Sequence, residues 1–183
     1  NQCFVTGNSN NAYSPGDNDV DGGATTLLSP NFNLYEETQI ILTYYRWYTN
    51  NKGANPGTES WKVDVSNNGG TSWVSLENTS QSNTSWEQKR FVLNETIELT
   101  SEMRFRFIAE DSPNNDGCLV EAALDSFQLE RLSDNDGISL GDLNYDLNID
   151  VLDIVAMINL ILSENQPTDD QLLVGDLNLD SSI

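Results

Sequence analysis

Asp142, Asn144, Asp146, Asp150 and Asp153 place oxygen-bearing side chains at positions one, three, five, nine and twelve of one loop. Asn148, at position seven, can offer its backbone carbonyl. A chain curling around a hard cation needs this spacing, because calcium takes about six to eight oxygens and is held by alternate residues. No thiolate or imidazole lies in the motif, so a soft metal is disfavoured. Magnesium, which keeps its waters and demands a rigid octahedron, is disfavoured as well. Two positions depart from the pattern: Leu147 stands where the sharp turn prefers Gly, and Asp153 closes the loop where Glu is usual. The pattern restarts 34 residues later at Asp176, Asn178 and Asp180, and both copies open with Gly-Asp-Leu-Asn. A third run, Asp17, Asp19 and Asp21 before Gly22-Gly23, can aim three carboxylates at one centre. Asp125 joins that centre if the last strand runs beside the loop. Calcium is therefore the expected cofactor, against the plainer alternative of solvated acidic turns.

Other chemistries are excluded by what the chain lacks. Its 183 residues contain no His, so Ser-His and Cys-His nucleophile pairs and His-rich zinc sites cannot form within it. With 29 acidic and 8 basic residues the net charge is −21, the wrong sign for a phosphate-backbone partner, and no nucleic acid is expected. An enzyme would have to rest on carboxylates alone. Glu121 and Asp125 are four residues apart, roughly 13 Å by strand rise, which is too far for either glycosidase spacing. The chain is read as non-catalytic.

Binding residues are sought on strand faces. Tyr44, Arg46 and Tyr48 share one parity, as do Arg104 and Arg106, and together they suggest a concave surface for acidic or hydroxylated ligands. Internal salt bridges to Glu110 or Glu121 are the alternative. Any of Trp47, Trp61, Trp73 and Trp86 can stack on a sugar ring. Trp61, in phase with Val63 and Val65, is expected in the core.

The elements that position these groups fall into two unlike segments. All eight basic residues lie at or before Arg131, whereas 133–183 holds eleven acidic residues and no basic one. The polar stretch Ser133 to Gly137 reads as a linker between a domain at 1–132 and a unit at 133–183. In the first, strands are expected at Thr38 to Thr49, Trp61 to Val65, Thr71 to Leu76, Trp86 to Leu93, Met103 to Ala109 and Leu119 to Leu129. Asn67 to Gly70 supplies a tight hairpin turn. The fold class is mainly β, an antiparallel sandwich, followed by a small α-helical calcium unit. In that unit Val151 to Leu162 reads as a helix of about three turns, apolar nearly all round and so expected to be buried on several sides. Cys3 and Cys118 are either a disulfide or two buried free thiols. No run is long and apolar enough for membrane insertion, and both ends read as cuts in a longer polypeptide.

Two family resemblances attach to these segments. GDLNYDLNIDVLDIVAMINLIL followed by GDLNLDSSI resembles the duplicated, EF-hand-like calcium repeat of type I dockerins, with its second copy truncated. That resemblance implies a unit that folds on calcium and docks into a cohesin-like partner through loop positions ten and eleven. Those positions are often Ser-Thr in the family and are Val151-Leu152 here. CFVTGN, NDVDGGATTLLSPNFNL, YYRWYTN, ESWKVDVSNNGGTSWVSLEN, MRFRFIAED and VEAALDSFQL resemble, in order, a MAM-like jelly-roll domain of secreted bacterial metallopeptidases of the zinc carboxypeptidase type. The family usually has a further strand region before CFVTGN. It implies structural calcium near Asp21 and Asp125. Ser66 to Trp73 also resembles an Asp-box hairpin, with Asn68 in the Asp position.

The function expected from these readings is a non-catalytic, calcium-stabilised accessory region of a larger exported protein, a secreted metallopeptidase above all. The alternative is a carbohydrate-binding or adhesive module of a polysaccharide-degrading or cell-surface assembly. Expected partners are an extracellular glycan or protein ligand, or a neighbouring domain of the same chain. The acidic, Asn-rich surface suits a secreted or cell-surface location.

Overall fold

The computed structural model describes residues 3–7, 19–112, 118–131, 140–146, 148–162 and 167–177, with backbone alone at 169, 170 and 173. Among the described residues eight strands build two four-stranded antiparallel sheets. They are β1 (Phe4–Val5), β2 (Gly23–Leu28), β3 (Ile40–Gly53), β4 (Trp61–Ser66), β5 (Val74–Thr79), β6 (Asn83–Val92), β7 (Arg104–Asp111) and β8 (Cys118–Arg131). The orders are β1-β8-β3-β6 and β2-β7-β4-β5, so the chain changes sheet at every connection except the β4–β5 hairpin. The fold is mainly β, as expected. β1 and β2 were not anticipated: β1 has two residues, and Gly-Ala-Thr-Thr-Leu-Leu of β2 has no clean alternation.

Between the sheets lies one apolar core. Leu42, Tyr44, Val63, Val65, Phe105, Phe107, Val120 and Leu124 are buried there. Phe127 stacks with Phe32 at 5.8 Å and meets Phe105 edge-on at 5.5 Å. Burying such side chains contributes about 1.5–3 kcal/mol each, the main force holding the layers together. Trp61 is in this core, as its parity implied.

The β4–β5 turn is built by the Asp-box-like segment. Asn68 Oδ1 accepts from the Ser66 hydroxyl and the Ser72 N–H, both at 2.9 Å, and its Nδ2 donates to Ser72 Oγ at 2.7 Å. Gly69 and Gly70 take positive φ. A Cβ on Gly70 would stand 3.1 Å from Trp73 Cζ2, so this glycine also seats the indole.

The acidic tail contains α1 (Val151–Leu162), with the bounds expected, and a second helix, α2 (Asp169–Gly175). α2 opens with a capping box, in which Gln171 N–H donates to Thr168 Oγ1 at 3.2 Å and Thr168 N–H to Gln171 Oε1 at 3.0 Å. Gly141 N–H donates to the Val174 carbonyl at 2.7 Å, joining the starts of the two Gly-Asp-Leu-Asn copies. α1 differs from expectation. Asp153 is its buried residue, whereas Val151, Leu152, Ile154, Val155, Ile158, Ile161 and Leu162 are exposed. A helix apolar all round can be buried only where elements surround it, and among the described residues of the tail α2 alone supplies too little surface.

The tail meets the sandwich at one end of the first sheet. Ile41 and Val92 are register partners outside the main core, yet both are buried. Arg90, two residues before Val92 on the same strand face, donates through Nη1 to the Leu172 carbonyl of α2 at 3.3 Å. Leu143 and Val174 of the tail are buried as well. Arg90→Ala should therefore loosen the tail alone. Hydrogen exchange should quicken across α2 while the β3–β8 ladder keeps its protection; unchanged α2 exchange would refute the contact.

Candidate functional site

Strand β3 runs through the middle of the first sheet, and its parity decides which side chains reach solvent. The expected binding trio faces inward. Tyr44 and Tyr48 are fully buried and Arg46 is 3% exposed, so the proposed surface of Tyr44, Arg46 and Tyr48 is corrected to an internal cluster. Arg46 reaches Glu77 of β5 through Nη1 and Glu87 of β6 through Nη2. Tyr44 Oη donates to Glu77 Oε2 at 2.6 Å, and Trp61 Nε1 donates to the same oxygen at 3.0 Å. Lys89 Nζ stands 3.6 Å from Glu87. Burial, with Glu77 beside it, pushes the Tyr44 phenol up, and burial does the same to Tyr48. A charge can lie between the sheets only because two carboxylates and their donors meet it there.

Arg104 and Arg106 do share an outward face, on β7. Neither bonds Glu110 or Glu121: Arg104 Nε donates to the Ser29 carbonyl at 2.9 Å, and Arg106 Nε to Asp64 Oδ2 at 2.7 Å. The Arg106 guanidinium also lies over the Trp73 ring, 4.4 Å from its centroid. Glu110 is paired with Lys62 at 2.6 Å. The cations of this face are thus engaged within the protein. Where β1 and β2 edge the sandwich, a cleft of about 160 Å³ is lined by Phe4, Val5, Leu27, Trp61 and Phe107 among others. Its lining is apolar and carries no charged group.

The opposite parity of β3 is the open one. Tyr45 is 36% exposed and Trp47 half-buried, and neither belongs to the core. Tyr45 is flanked in register by exposed Gln88 of β6 and half-buried Asp125 of β8. Glu87 points inward to Arg46, so its neighbour Trp86 turns outward, 45% exposed. Three aromatics, an amide and a carboxylate therefore occupy the part of this face that the tail leaves open. Flat rings offer apolar surface to a ligand, and the flanking groups supply an acceptor and a donor. The Asp125 carboxylate is fixed by its neighbour: Ser126, at φ +52°, donates its N–H to Asp125 Oδ1 at 2.7 Å. Glu121 and Asp125 lie on the same strand, four residues apart.

Asp125 was expected to join the third acidic loop if the last strand runs beside it, and β8 does run beside the described part of that loop. That loop reaches β8 at the Val20–Val120 bridge, five residues from Asp125. The carboxylate it does meet is Asp111, buried at the end of β7, whose Oδ2 accepts the Gly22 N–H at 3.3 Å. Asp17 lies outside the described residues. Sequence reasoning missed Asp111, although its place at the end of a strictly alternating strand marked it as a residue near a turn.

In the tail, the expected ligands bond the backbone of their own loop. Asp146 N–H is shared by Asp142 Oδ1 at 3.1 Å and Asn144 Oδ1 at 2.9 Å, and Asp146 Oδ1 accepts the Asn148 N–H at 2.9 Å. Asp150 Oδ1 accepts from Leu152 N–H at 2.7 Å. Asp153, 3% exposed, closes the loop by accepting from Asp150 N–H at 2.8 Å and Asn144 N–H at 3.2 Å. These amides hold its carboxyl below the usual carboxylate range, Asp150 N–H foremost. Among the described residues no three acidic or thiol side chains converge as a metal cluster; the carboxylates are turned to backbone amides. Asp176 is buried at the end of α2, and Asn178 and Asp180 lie outside the described residues. Cys3 and Cys118 are free thiols, which corrects the disulfide alternative. The register Phe4–Leu124 sets Cys3 beside Asp125, seven residues or roughly 23 Å along β8 from Cys118.

Arg46→Met should strip half-buried Glu77 and Glu87 of their main cation, with Lys89 left 3.9 and 3.6 Å from them, and cost about 3 kcal/mol in chemical denaturation. Burial raises the Glu87 carboxyl, but hydrogen bonds from Asn83 and Arg46 outweigh it and hold it lowered. Its share of stability is complete above the unfolded carboxyl value, about 4.3, and is lost as pH falls through the lower folded value. Unfolding midpoints below about pH 4 should therefore drop more steeply for the natural protein than for Glu87→Gln.

No family model matches the chain, and no curated protein matches it. Solved structures similar to it include Family 16 Carbohydrate Binding Module-2, at 17% identity and a TM-score of 0.38 over 60% of this chain and 72% of that one. A structure of TmCBM61 in complex with β-1,4-galactotriose is similar at 15% identity and a TM-score of 0.34, covering 59% of this chain and 60% of that one. A family 35 carbohydrate-binding module from an environmental isolate is similar at 13% identity and a TM-score of 0.32, covering 72% and 90%.

Proposed function

We propose that the chain is a non-catalytic, extracellular glycan-binding accessory region, stabilised by calcium in its tail. The observation that carries this is the outward face of the first sheet, where Tyr45, Trp47 and Trp86 lie beside Gln88 and Asp125. Aromatic rings left in water on a rigid sheet cost burial that the core could have used, and they match the apolar faces of pyranoses. The strand order is that of an eight-stranded jelly roll, a scaffold that presents such a face without moving parts. The parent protein is then better read as a polysaccharide-acting or cell-surface assembly than as the metallopeptidase suggested by the MAM-like resemblance. Trp86→Ala should weaken binding to an immobilised polysaccharide about tenfold, the worth of one stacking ring, with an unchanged melting temperature. Screening the full chain on a glycan array and finding no binder would end this proposal.

Calcium is favoured by the donor chemistry. Asp142, Asn144, Asp146, Asp150, Asp153 and the Asn148 carbonyl offer only oxygen, and 133–183 has no Lys or Arg to neutralise them. A bound cation would offset their mutual repulsion and fix the start of α1. Asp176, with Asn178 and Asp180, would open a second site, and the third loop would use Asp17, Asp19, Asp21 and Asp111. Adding calcium should raise the helical signal and the melting temperature of the tail, EDTA should reverse both, and Asp153→Ala should abolish the response. The sandwich, with its own core, should stay folded in EDTA. The exposed apolar side chains of α1 favour one further role, a cohesin-like protein partner seated on that helix.

A further inference from the structure

Resting on the glycan-binding reading, we infer that the Tyr45 face selects a neutral, hydroxyl-rich polysaccharide and rejects uronic-acid or sulfated chains, with Asp125 as the residue that sets this choice. By strand parity alone, Tyr44, Arg46, Tyr48, Arg104 and Arg106 are compatible with acidic as well as hydroxylated ligands. Their cations are not available to the Tyr45 face. Arg46 is buried between Glu77 and Glu87, Arg106 is bonded to Asp64 on the other sheet, and Arg104 is bonded to the Ser29 carbonyl.

Two cations belong to the outward face of the first sheet. Arg90 donates to the Leu172 carbonyl of α2 and faces Asp176 and Glu130. Lys52 stands at the far end of β3, five residues beyond Trp47, roughly 17 Å by strand rise. That is about two Debye lengths at physiological salt. Between them the charged groups are two carboxylates, Asp125 in register with Tyr45 and Glu121 with Thr49. Glu130 pairs with Ile41, on the tail side of Arg90, which is in register with Thr43. An anionic sugar on Tyr45 would meet Asp125 directly, inside a molecule of net charge −21.

A neutral sugar meets the same group as a strong acceptor. Asp125 Oδ1 is committed to the Ser126 N–H, and Oδ2 makes no hydrogen bond among the described residues. Hydroxyl-to-carboxylate hydrogen bonds are charge-assisted and short. Gln88, across Tyr45, can donate through its amide to a ring or hydroxyl oxygen. Tyr45 and then Trp47 follow β3 away from the tail, with Trp86 beside them on β6, so a chain of several sugar units fits along them better than a single sugar.

Affinity electrophoresis of the full chain tests this, using soluble β-glucan and galactan as neutral probes and polygalacturonate and a sulfated galactan as anionic ones. Each gel is run with calcium and with EDTA, because calcium can bridge two anions. Retardation by a neutral probe in both conditions, with no retardation by either anionic probe in EDTA, is the expected result. Asp125→Asn should weaken the neutral interaction about three- to tenfold, and admit polygalacturonate in EDTA. An unchanged neutral affinity in Asp125→Asn would remove Asp125 from the role. Anionic probes bound in EDTA by the natural protein as tightly as neutral ones would overturn the selectivity while leaving glycan binding in place. No retardation by any probe would remove the glycan reading itself.

Discussion

A buried guanidinium sets the geometry of this protein. Desolvating a charge costs several kcal/mol, and the cost is offset only by partners with good geometry on every side. Arg46 finds them in Glu77 and Glu87, which belong to β5 and β6, the strands that edge the two sheets on the same side. The cluster therefore ties one sheet to the other where the sandwich would otherwise lie open. Tyr44 and Trp61 add donors to Glu77, so its oxygens are satisfied by core side chains rather than by water. Because side chains alternate with a period of two, placing Arg46 inside also places Tyr44 and Tyr48 inside and turns Tyr45 and Trp47 out. The face offered to a ligand is the far side of an ion pair.

That constraint also explains how far the sequence could be read. Strands with a single apolar parity were legible, as in Trp61-Val63-Val65, all three buried, and in Phe105-Phe107-Ala109, along which burial alternates strictly. β3 was legible as a strand but not in its facing, since Ile40, Leu42 and Tyr44 compete with Ile41, Tyr45 and Trp47. The residues that decide between them, Glu77 and Glu87, lie 31 and 41 positions away from Arg46. α2 carried a local signal, the Thr168 to Gln171 capping box, but seven residues ending in Gly form a helix only with tertiary support. The oxygen spacing of the tail loop was readable because it is local. The reach of the third loop to Asp111 was not, because it depends on which strand ends lie together.

The tail and the face are linked by geometry. The first sheet has one outward surface, and the tail takes the Ile41–Val92 end of it while the aromatics occupy the remainder. Without a cover, Ile41 and Val92 would add to the exposed apolar area beside Tyr45, and the ligand face would merge with a sticky edge. Arg90 fixes the division, presenting its guanidinium to the carbonyl end of α2, where a cation is favoured by the helix dipole. An acidic segment with no cation of its own is thus held on an acidic domain by a basic group that the domain provides.

The last constraint is a single residue in β8. Val120, Ala122 and Leu124 point inward, and regular alternation would send Asp125 and Phe127 together to the outside. Instead the register shifts between Thr43 and Tyr45, where β8 spends one extra residue, Ser126, in the left-handed region. Holding a serine there costs about 1–3 kcal/mol, which Phe127 offsets by packing on Phe32, Phe105 and Phe107. The bulge lets the aromatic ring enter the core without taking the carboxylate with it. Its N–H then binds that carboxylate in place. Core packing and the outward acceptor therefore come from one backbone irregularity, and removing the extra residue would exchange their sides: Phe127 would lie among the surface aromatics, or Asp125 would enter a core with no cation free to meet it.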